Sequence, residues 1–421
     1  MASSGSNTRI QQLAETISAS VAKIQAGLAA KNLPSPSFDE NAPPSLPLEL
    51  SDAQDAVLDA TAELRDLLME PMTLIHGHGG HNNSLCEEVI AHFGIAAMVP
   101  LGGKVSFADI AKQTPLTEQM VTRILRHAMT MRIFHEPEPG MVAHTKASKI
   151  LTDAVINNWL RVGTEEMWPA SAKVLDALIK YPGSQEPNET GFCIANNTTE
   201  SIYAALGADP ERAGRFGQAM MVYGSKPEHS PAFIIDYYDW ASLGSAKVVH
   251  VGGGPGQIAT ALAARYANLN LVVQDQEFMM GPKEAGLPQE VKGRVSFQPH
   301  DFFAPQTETA DVYYYRWTLR NWADKHAINA LRALLPGLKP GGRVIIQDQI
   351  MPEPGTVPLW KEKNARSGDL SLAASFNSRD RTVSDWRALL QEADPGFIVK
   401  NVTEPKGSAL GIIEAIWEGK A

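Results

Sequence analysis

The stretch Lys247–Gln257, KVVHVGGGPGQ, joins a short apolar strand to a glycine-rich turn, and IATALAARY after it reads as a helix. Glycines adopt positive φ and let a ligand approach the backbone with no Cβ in the way. A helix start behind such a turn suits a cofactor carrying anionic or dipolar groups. About twenty residues on, after a second apolar run (LNLVVQ), stands Asp275, where an acidic side chain can accept from the hydroxyls of a ribose. The chemistry that this spacing offers is the binding of a nucleoside-type cofactor.

The elements that must hold this turn follow from the pattern after residue 247. Apolar runs KVVHV, NLVV, RVSFQPHDFF, ADVYYYRWTL and GGRVIIQDQI alternate with helices expected near 323–335, 359–376 and 383–393, and FIVKNV and ALGIIEAIWE close the chain. Alternating apolar strands and helices predict an α/β, doubly wound, mostly parallel sheet, with the last two runs as an antiparallel pair. Upstream, Ile10, Leu13, Ile17, Val21, Ile24 and Leu28 recur at helical spacing in residues 8–31. Residues 33–50 form a Pro/Ser-rich tether, and Ser51 is placed to cap a second amphipathic helix. Two such helices ahead of a compact unit pack within the chain or against a second copy of it. Residues 83–148 predict three helices and a strand pair, RIFHEP with GMVAHT, in a winged-helix pattern. Residues 150–243 predict mainly helix. The divisions expected are 1–50 (helix and tether), 51–150 (winged-helix dimerisation domain), 151–243 (helical, substrate-covering) and 244–421 (cofactor domain).

The chain has 421 residues, net charge −10, 44% hydrophobic and 20% charged residues, and a pI near 5.6. An acidic balance argues against nucleic-acid binding and anionic membrane attachment, despite Arg123, Arg126, His127 and Arg132 on the third winged-helix segment. Cys86 and Cys193 are the only cysteines, so no disulfide framework or thiolate metal site is expected and a reducing, cytoplasmic compartment is. No apolar run is long enough to span a bilayer, and MASSGSNTRIQQ has no secretory h-region. His76, His78 and His81 lie among glycines and asparagines with no carboxylate at ligand spacing, so a loop is expected there and no metal.

The chain resembles the plant-type small-molecule O-methyltransferases, as a fungal relative. The matching stretches are VVHVGGGPG, the strand end at Asp275, HDFFAPQ, YYYRWTLRNWAD, LKPGGRVIIQD, SFNSRDRTVSDW and, upstream, EPEPGMVAHTKAS. The resemblance covers nearly the whole chain from about residue 50. It implies a class I, Rossmann-like S-adenosylmethionine-dependent methyltransferase domain preceded by a helical, winged-helix dimerisation domain, and a homodimer. It also implies that Gly252 and Gly254 lie against the methionine part of S-adenosylmethionine and that Asp275 holds the ribose hydroxyls. Asp301 would receive the adenine amino group with Phe302 packing on the ring, and Arg316 would stand near the cofactor. His250 departs from the usual aspartate before the glycines and is expected as a hydrogen-bonded strand-end histidine.

A second departure bears on the reaction. The methyltransferases follow this strand with His-Asp-Trp, the histidine being the general base; here the residues are Arg320, Asn321 and Trp322. Guanidinium has five donors, no acceptor and a pKa above ~12, so it cannot be that base. The acidic helpers persist as Asp348 and Asp380, which would fix Arg320 as a donor able to polarise a carbonyl, with His144 as a second donor. This combination is similar to the leporin-type pericyclases of fungal natural-product pathways, which keep the methyltransferase fold and bind S-adenosylmethionine without consuming it. That resemblance implies dehydration and cycloaddition or Alder-ene chemistry on a pyridone alcohol or its quinone methide. The alternatives are a working O-methyltransferase with another base, His326, or none, and a catalytically inactive binding protein.

Overall fold

The computed structural model describes residues 7–77, 79–280 and 286–419. The chain divides into two compact units. The first comprises the chain up to Pro169 with Leu206–Val222 and Pro354–Asn364; the second comprises Ala170–Ala205, Tyr223–Glu353 and Ala365–Ala421.

In the first unit, helix Arg9–Ala30 starts with a capping box between Thr8 and Gln11. It buries Leu13, Ile24 and Leu28, a narrower face than the apolar periodicity outlines, since Ile10 and Val21 remain exposed. Ser51 is not the cap of the next helix. It is the first residue of helix Ser51–Leu67, and a 3₁₀ turn, Leu48–Leu50, leads in without a side-chain cap. The histidine segment is more ordered than its glycines suggest. Glu70 caps helix Pro71–His76, and His81 lies in the first turn of helix Gly80–His92. His78 lies outside the described residues.

The winged-helix core is built from Ile90, Ile95, Ile110, Val121, Leu125, Phe134 and Val142. Its strand pair differs from the expectation. Strand β1 (Lys104–Ser106) pairs antiparallel with β2 (Met141–Ala143), and the RIFHEP segment contributes only an isolated bridge, His135 to Ala143. Arg132 and Phe134 take φ of 66° and 62°, so that segment coils where an alternating strand would need extended backbone.

The second unit holds a seven-stranded sheet. Its strands are β3 (Ala246–Val251), β4 (Leu269–Asp275), β5 (Val295–Pro299), β6 (Ala310–Arg316), β7 (Leu338–Asp348), β8 (Phe397–Thr403) and β9 (Gly411–Trp417). The order is β5-β4-β3-β6-β7-β9-β8, parallel through β7, with β9 antiparallel to both neighbours. The Tyr313-Tyr314-Tyr315 run shows why the strands read as unbroken apolar segments. Tyr313 and Tyr315 face one core with Leu331 and Trp386, Tyr314 faces the other with Leu262 and Trp240, and all three are fully buried. From β3 the chain goes outward to β4 and β5, then returns to β6 on the other side. The strand order reverses between β3 and β6, and at such a point the carboxyl ends of the strands open a crevice. Among the described residues no helix is long and apolar enough to cross a membrane.

The base of β6 is packed without slack. A Cβ on Gly337 would stand 2.2 Å from the Tyr313 hydroxyl and 2.5 Å from the Glu308 carbonyl that this hydroxyl donates to. Gly337→Ala should therefore lower unfolding stability by about 1–3 kcal/mol, as overpacking does. Denaturant titration checks this; an unchanged midpoint would show that the packing there yields freely.

Candidate active site

The crevice is built from strand ends. Beyond β3, Gly252 and Gly254 take φ of 70° and 53°. A Cβ on Gly252 would lie 2.7 Å from Thr318 Oγ1, so this turn needs glycine for its backbone angle and for its neighbour. Gly254 N–H donates to Asp275 Oδ2 at 2.8 Å, and Gln276 N–H donates to Asp275 Oδ1 at 2.7 Å. These two bonds fix the half-buried Asp275 carboxylate and leave each oxygen with acceptor capacity. Asp301 follows β5, exposed, accepting from Phe303 N–H at 3.0 Å. Phe302 and Phe303 stack at 4.6 Å and both meet the edge of Trp322, forming an aromatic patch beside it. Glycine cradle, oriented carboxylate and acid beside aromatic rings are a donor and acceptor set that fits a nucleoside with a charged amino-acid tail.

Arg316 closes β6. Its Nη1 donates to Gln347 Oε1 at 2.6 Å and its Nη2 to the His229 carbonyl at 2.5 Å, and the guanidinium lies 5.0 Å from the Trp317 ring. His250 is not the hydrogen-bonded residue expected. It is buried against the Tyr314 ring at 4.6 Å, and its Nδ1 has no hydrogen-bond partner among the described residues. Burial, assisted by the Arg316 charge, pushes its pKa down to about 3, so the ring is neutral.

Arg320, Asp348 and Asp380 come together in one cluster. Arg320 is 9% exposed. Its Nε and Nη2 donate to the two oxygens of Asp380, both at 2.8 Å, and its backbone N–H donates to Asp348 Oδ2 at 3.2 Å. Asp348 Oδ1 lies 3.7 Å from Nε, and Nη2 reaches Gln349 Oε1 at 3.5 Å. Nη1 has no hydrogen-bond partner among the described residues. Asp369 and Arg381, not singled out from sequence, hold this cluster. Asp369 accepts from Asp380 N–H at 2.6 Å. Arg381 is fully buried and donates to Asp324 at 2.8 Å and to the carbonyls of Leu319 and Trp322 at 3.3 and 2.8 Å, clamping the turn that carries Arg320.

His144 is removed from the donor list by its own contacts. It is 2% exposed, with Nδ1 3.0 Å from Ser148 Oγ and Nε2 3.0 Å from the Val99 carbonyl. A ring with both nitrogens engaged inside the winged-helix core has no N–H for a ligand. His326, the substitute base considered, sits with the Phe303 and Trp322 rings, and its Nε2 is 3.4 Å from Glu186. Trp317 was also missed. It holds φ of 52° and a buried indole N–H with no hydrogen-bond partner among the described residues, between Tyr223 and His229. The aromatic density of YYYRWTLRNWAD was the available signal.

Burial pushes Asp348 up to about 7, with Arg320 pulling against it and Asp380 adding to it. Asp380 is also raised by burial, and Arg320 pulls it back. For Asp348 the folded-state pKa lies above the ordinary 3.8, so the folded state holds the proton more tightly. Its stabilising contribution is complete below 3.8 and is lost as pH rises to about 7. His250 acts in the opposite direction over much of that range, so the comparison must be made against a variant at each pH. The midpoint of wild type minus that of Asp348→Asn should fall between pH 4 and 7 and level off above, in thermal melts across that range; a flat difference would refute it.

The O-methyltransferase domain family matches residues 187–397. O-methyltransferase PaMT of Phomopsis amygdali is 43% identical, over 97% of this chain and 97% of its own. In structure, OxaC superposes with a TM-score of 0.78 at 20% identity, over 97% of this chain and 98% of its own. LepI in complex with SAM superposes with a TM-score of 0.71 at 20% identity, over 96% of this chain and 100% of its own, a likeness of fold. With a cofactor cradle at the reversal of a seven-stranded sheet, and with full-length relatives of this kind, the chain belongs to the O-methyltransferase family.

Proposed function

We propose that the chain is an S-adenosylmethionine-binding enzyme of fungal natural-product chemistry that acts as a pericyclase or dehydratase, with Arg320 as its polarising donor. The single observation that carries this reading is the state of Arg320: buried, permanently charged, gripped on one edge by both oxygens of Asp380, with Nη1 unpartnered among the described residues. Such a group cannot accept a proton, and it can donate to an oxygen that gains negative charge. Gly252, Gly254, Asp275, Asp301, Phe302 and Arg316 would hold the cofactor. When bound, S-adenosylmethionine supplies a sulfonium charge and bulk beside the substrate.

The substrate class is a polyketide-derived pyridone alcohol. Dehydration breaks its C–O bond, the hydroxyl leaves as water with a proton from the pyridone enol, and a neutral quinone methide remains for the cycloaddition or Alder-ene step. Arg320 Nη1 would donate to the pyridone oxygen that becomes the quinone-methide carbonyl. Asp380 and Asp348 keep the guanidinium in place, and the enzyme's own proton inventory is unchanged at the end.

The O-methyltransferase name of the 43%-identical relative favours a second reading, methyl transfer to a hydroxyl. The first unit supports a homodimer. Leu68, Met72 and Ile75 are strongly exposed on or near helix Pro71–His76, and apolar side chains grouped this way suit a second copy of the chain.

The test incubates purified protein with S-adenosylmethionine and pyridone alcohols. Cyclised product with undiminished cofactor is expected. Stoichiometric S-adenosylhomocysteine would establish methyl transfer, and neither product with any candidate would leave a binding protein. Arg320→Ala should lower cyclisation by about 10²–10³-fold, the worth of one oxyanion donor, with cofactor affinity unchanged. Arg320→Lys, which keeps the charge and loses the fork, controls for the two carboxylates that Arg320→Ala leaves unpaired. A gain of methyl transfer in Arg320→His would favour the second reading.

A further inference from the structure

Asn321 Nδ2 lies 3.2 Å from the Trp317 carbonyl and 3.1 Å from the Tyr203 hydroxyl. A carbonyl oxygen only accepts, so the amide presents its NH₂ group on this side, one hydrogen to each partner. The Tyr203 oxygen is then the acceptor in its contact with Asn321. Its own proton has no acceptor among the described residues. Tyr203 lies in helix Ile202–Gly207 with its ring 5.4 Å from Phe376. The surrounding protein desolvates the phenol and pushes it up to about 12, with Asn321 and the Arg320 charge acting the other way, yet the residue is 43% exposed. Asn321 follows Arg320 in the chain, so the phenol that accepts from its amide stands in the neighbourhood of the guanidinium, whose charge acts on it.

We propose that Tyr203 is a substrate-binding residue whose hydroxyl donates, together with Arg320 Nη1, to one anionic or polarised oxygen, and that Asn321 is the positioning residue that turns the phenol proton toward it. The inference rests on the reading of Arg320 as a polarising donor. It also narrows the ligand. Two donors with no acceptor fit a carbonyl or an enolate oxygen, such as that of a 4-hydroxy-2-pyridone anion; a neutral hydroxyl awaiting deprotonation needs an acceptor as well. The direction of the Asn321 bond decides whether the phenol proton is available. An aspartate at this position has only acceptors, so Tyr203 would donate to it and the proton would be lost to the ligand.

The probe is a stable 4-hydroxy-2-pyridone, its ionisation followed by ultraviolet absorbance on protein saturated with S-adenosylmethionine. Wild type should bind the anion and lower the probe's apparent pKa. Tyr203→Phe should weaken anion binding about tenfold or more, as loss of a hydrogen bond to a charged group does, with cofactor affinity unchanged by calorimetry. Asn321→Asp should weaken it more than Asn321→Ala, which removes the amide without supplying an acceptor. Tyr203→Phe and Asn321→Asp should combine less than additively, because both remove the same donor. If Arg320→Ala weakens the anion and Tyr203→Phe does not, the Tyr203 donor is overturned while the reading of Arg320 stands. If Arg320→Ala has no effect, that reading falls and the donor pair with it. Equal effects of Asn321→Asp and Asn321→Ala would overturn the positioning role.

Discussion

A guanidinium buried between two carboxylates sets the terms for the structure around it. Taking three charged groups out of water costs several kcal/mol per ion, and only close, fully hydrogen-bonded geometry offsets it. The parts come from distant stretches of sequence: Arg320 from the turn after β6, Asp348 from the end of β7, and Asp380 from the segment before helix Val383–Ala393. Each needs support in turn. Asp369 accepts the Asp380 amide, and Arg381 ties down the two carbonyls that flank the Arg320 turn. Local freedom in any of these segments would leave an unpaired charge in the interior, so the carboxyl ends of β6 and β7 are held by electrostatics as well as by packing.

The two arginines at the end of β6 stand in opposite situations. Arg320 is opposed by two acids, which burial makes reluctant to ionise and which its charge pulls the other way. Arg316, four residues earlier, is held by a glutamine oxygen and a backbone carbonyl, both neutral. After burial, its charge is the second cause that holds His250 neutral. Among the described residues Arg316 thus has no acid bound to it, whereas Arg320 is paired with two.

The sheet was legible in the sequence because both its faces are buried. Runs such as ADVYYYR carry β propensity and apolar character without interruption, and the helices between them have the 3.6-residue period. The cluster was legible in part, because Arg320, Asp348 and Asp380 each close a recognisable stretch. What escaped depends on single backbone angles and on distant partners. Positive φ at Arg132 and Phe134 turns RIFHEP out of the wing and leaves Lys104–Ser106 to pair instead. His144 reads as a free donor until Val99 and Ser148 are found against its two nitrogens. Tyr203 is 118 residues from Asn321, and no local pattern marks it.

Family membership and reaction rest on different parts of the chain. As proposed cofactor-binding residues, the glycine turn, Asp275 and Asp301 would answer to the shape of the cofactor, and that requirement is the same whether or not its methyl group moves. The reaction is constrained by what residue 320 can do with a proton. A histidine there passes through two protonation states in each turnover. Arg320 has one state before, during and after, because its pKa is high to begin with and its two acids raise it further against burial. A site built on it can serve only steps in which the protein takes up no proton at that position. Loss of water from a pyridone alcohol and a concerted rearrangement of the resulting quinone methide both meet that condition. Methyl transfer from a neutral hydroxyl meets it only if the substrate arrives already ionised. The bidentate grip of Asp380 on one edge of the fork, with Gln349 at Nη2 and Nη1 uncommitted among the described residues, suits such a constant donor.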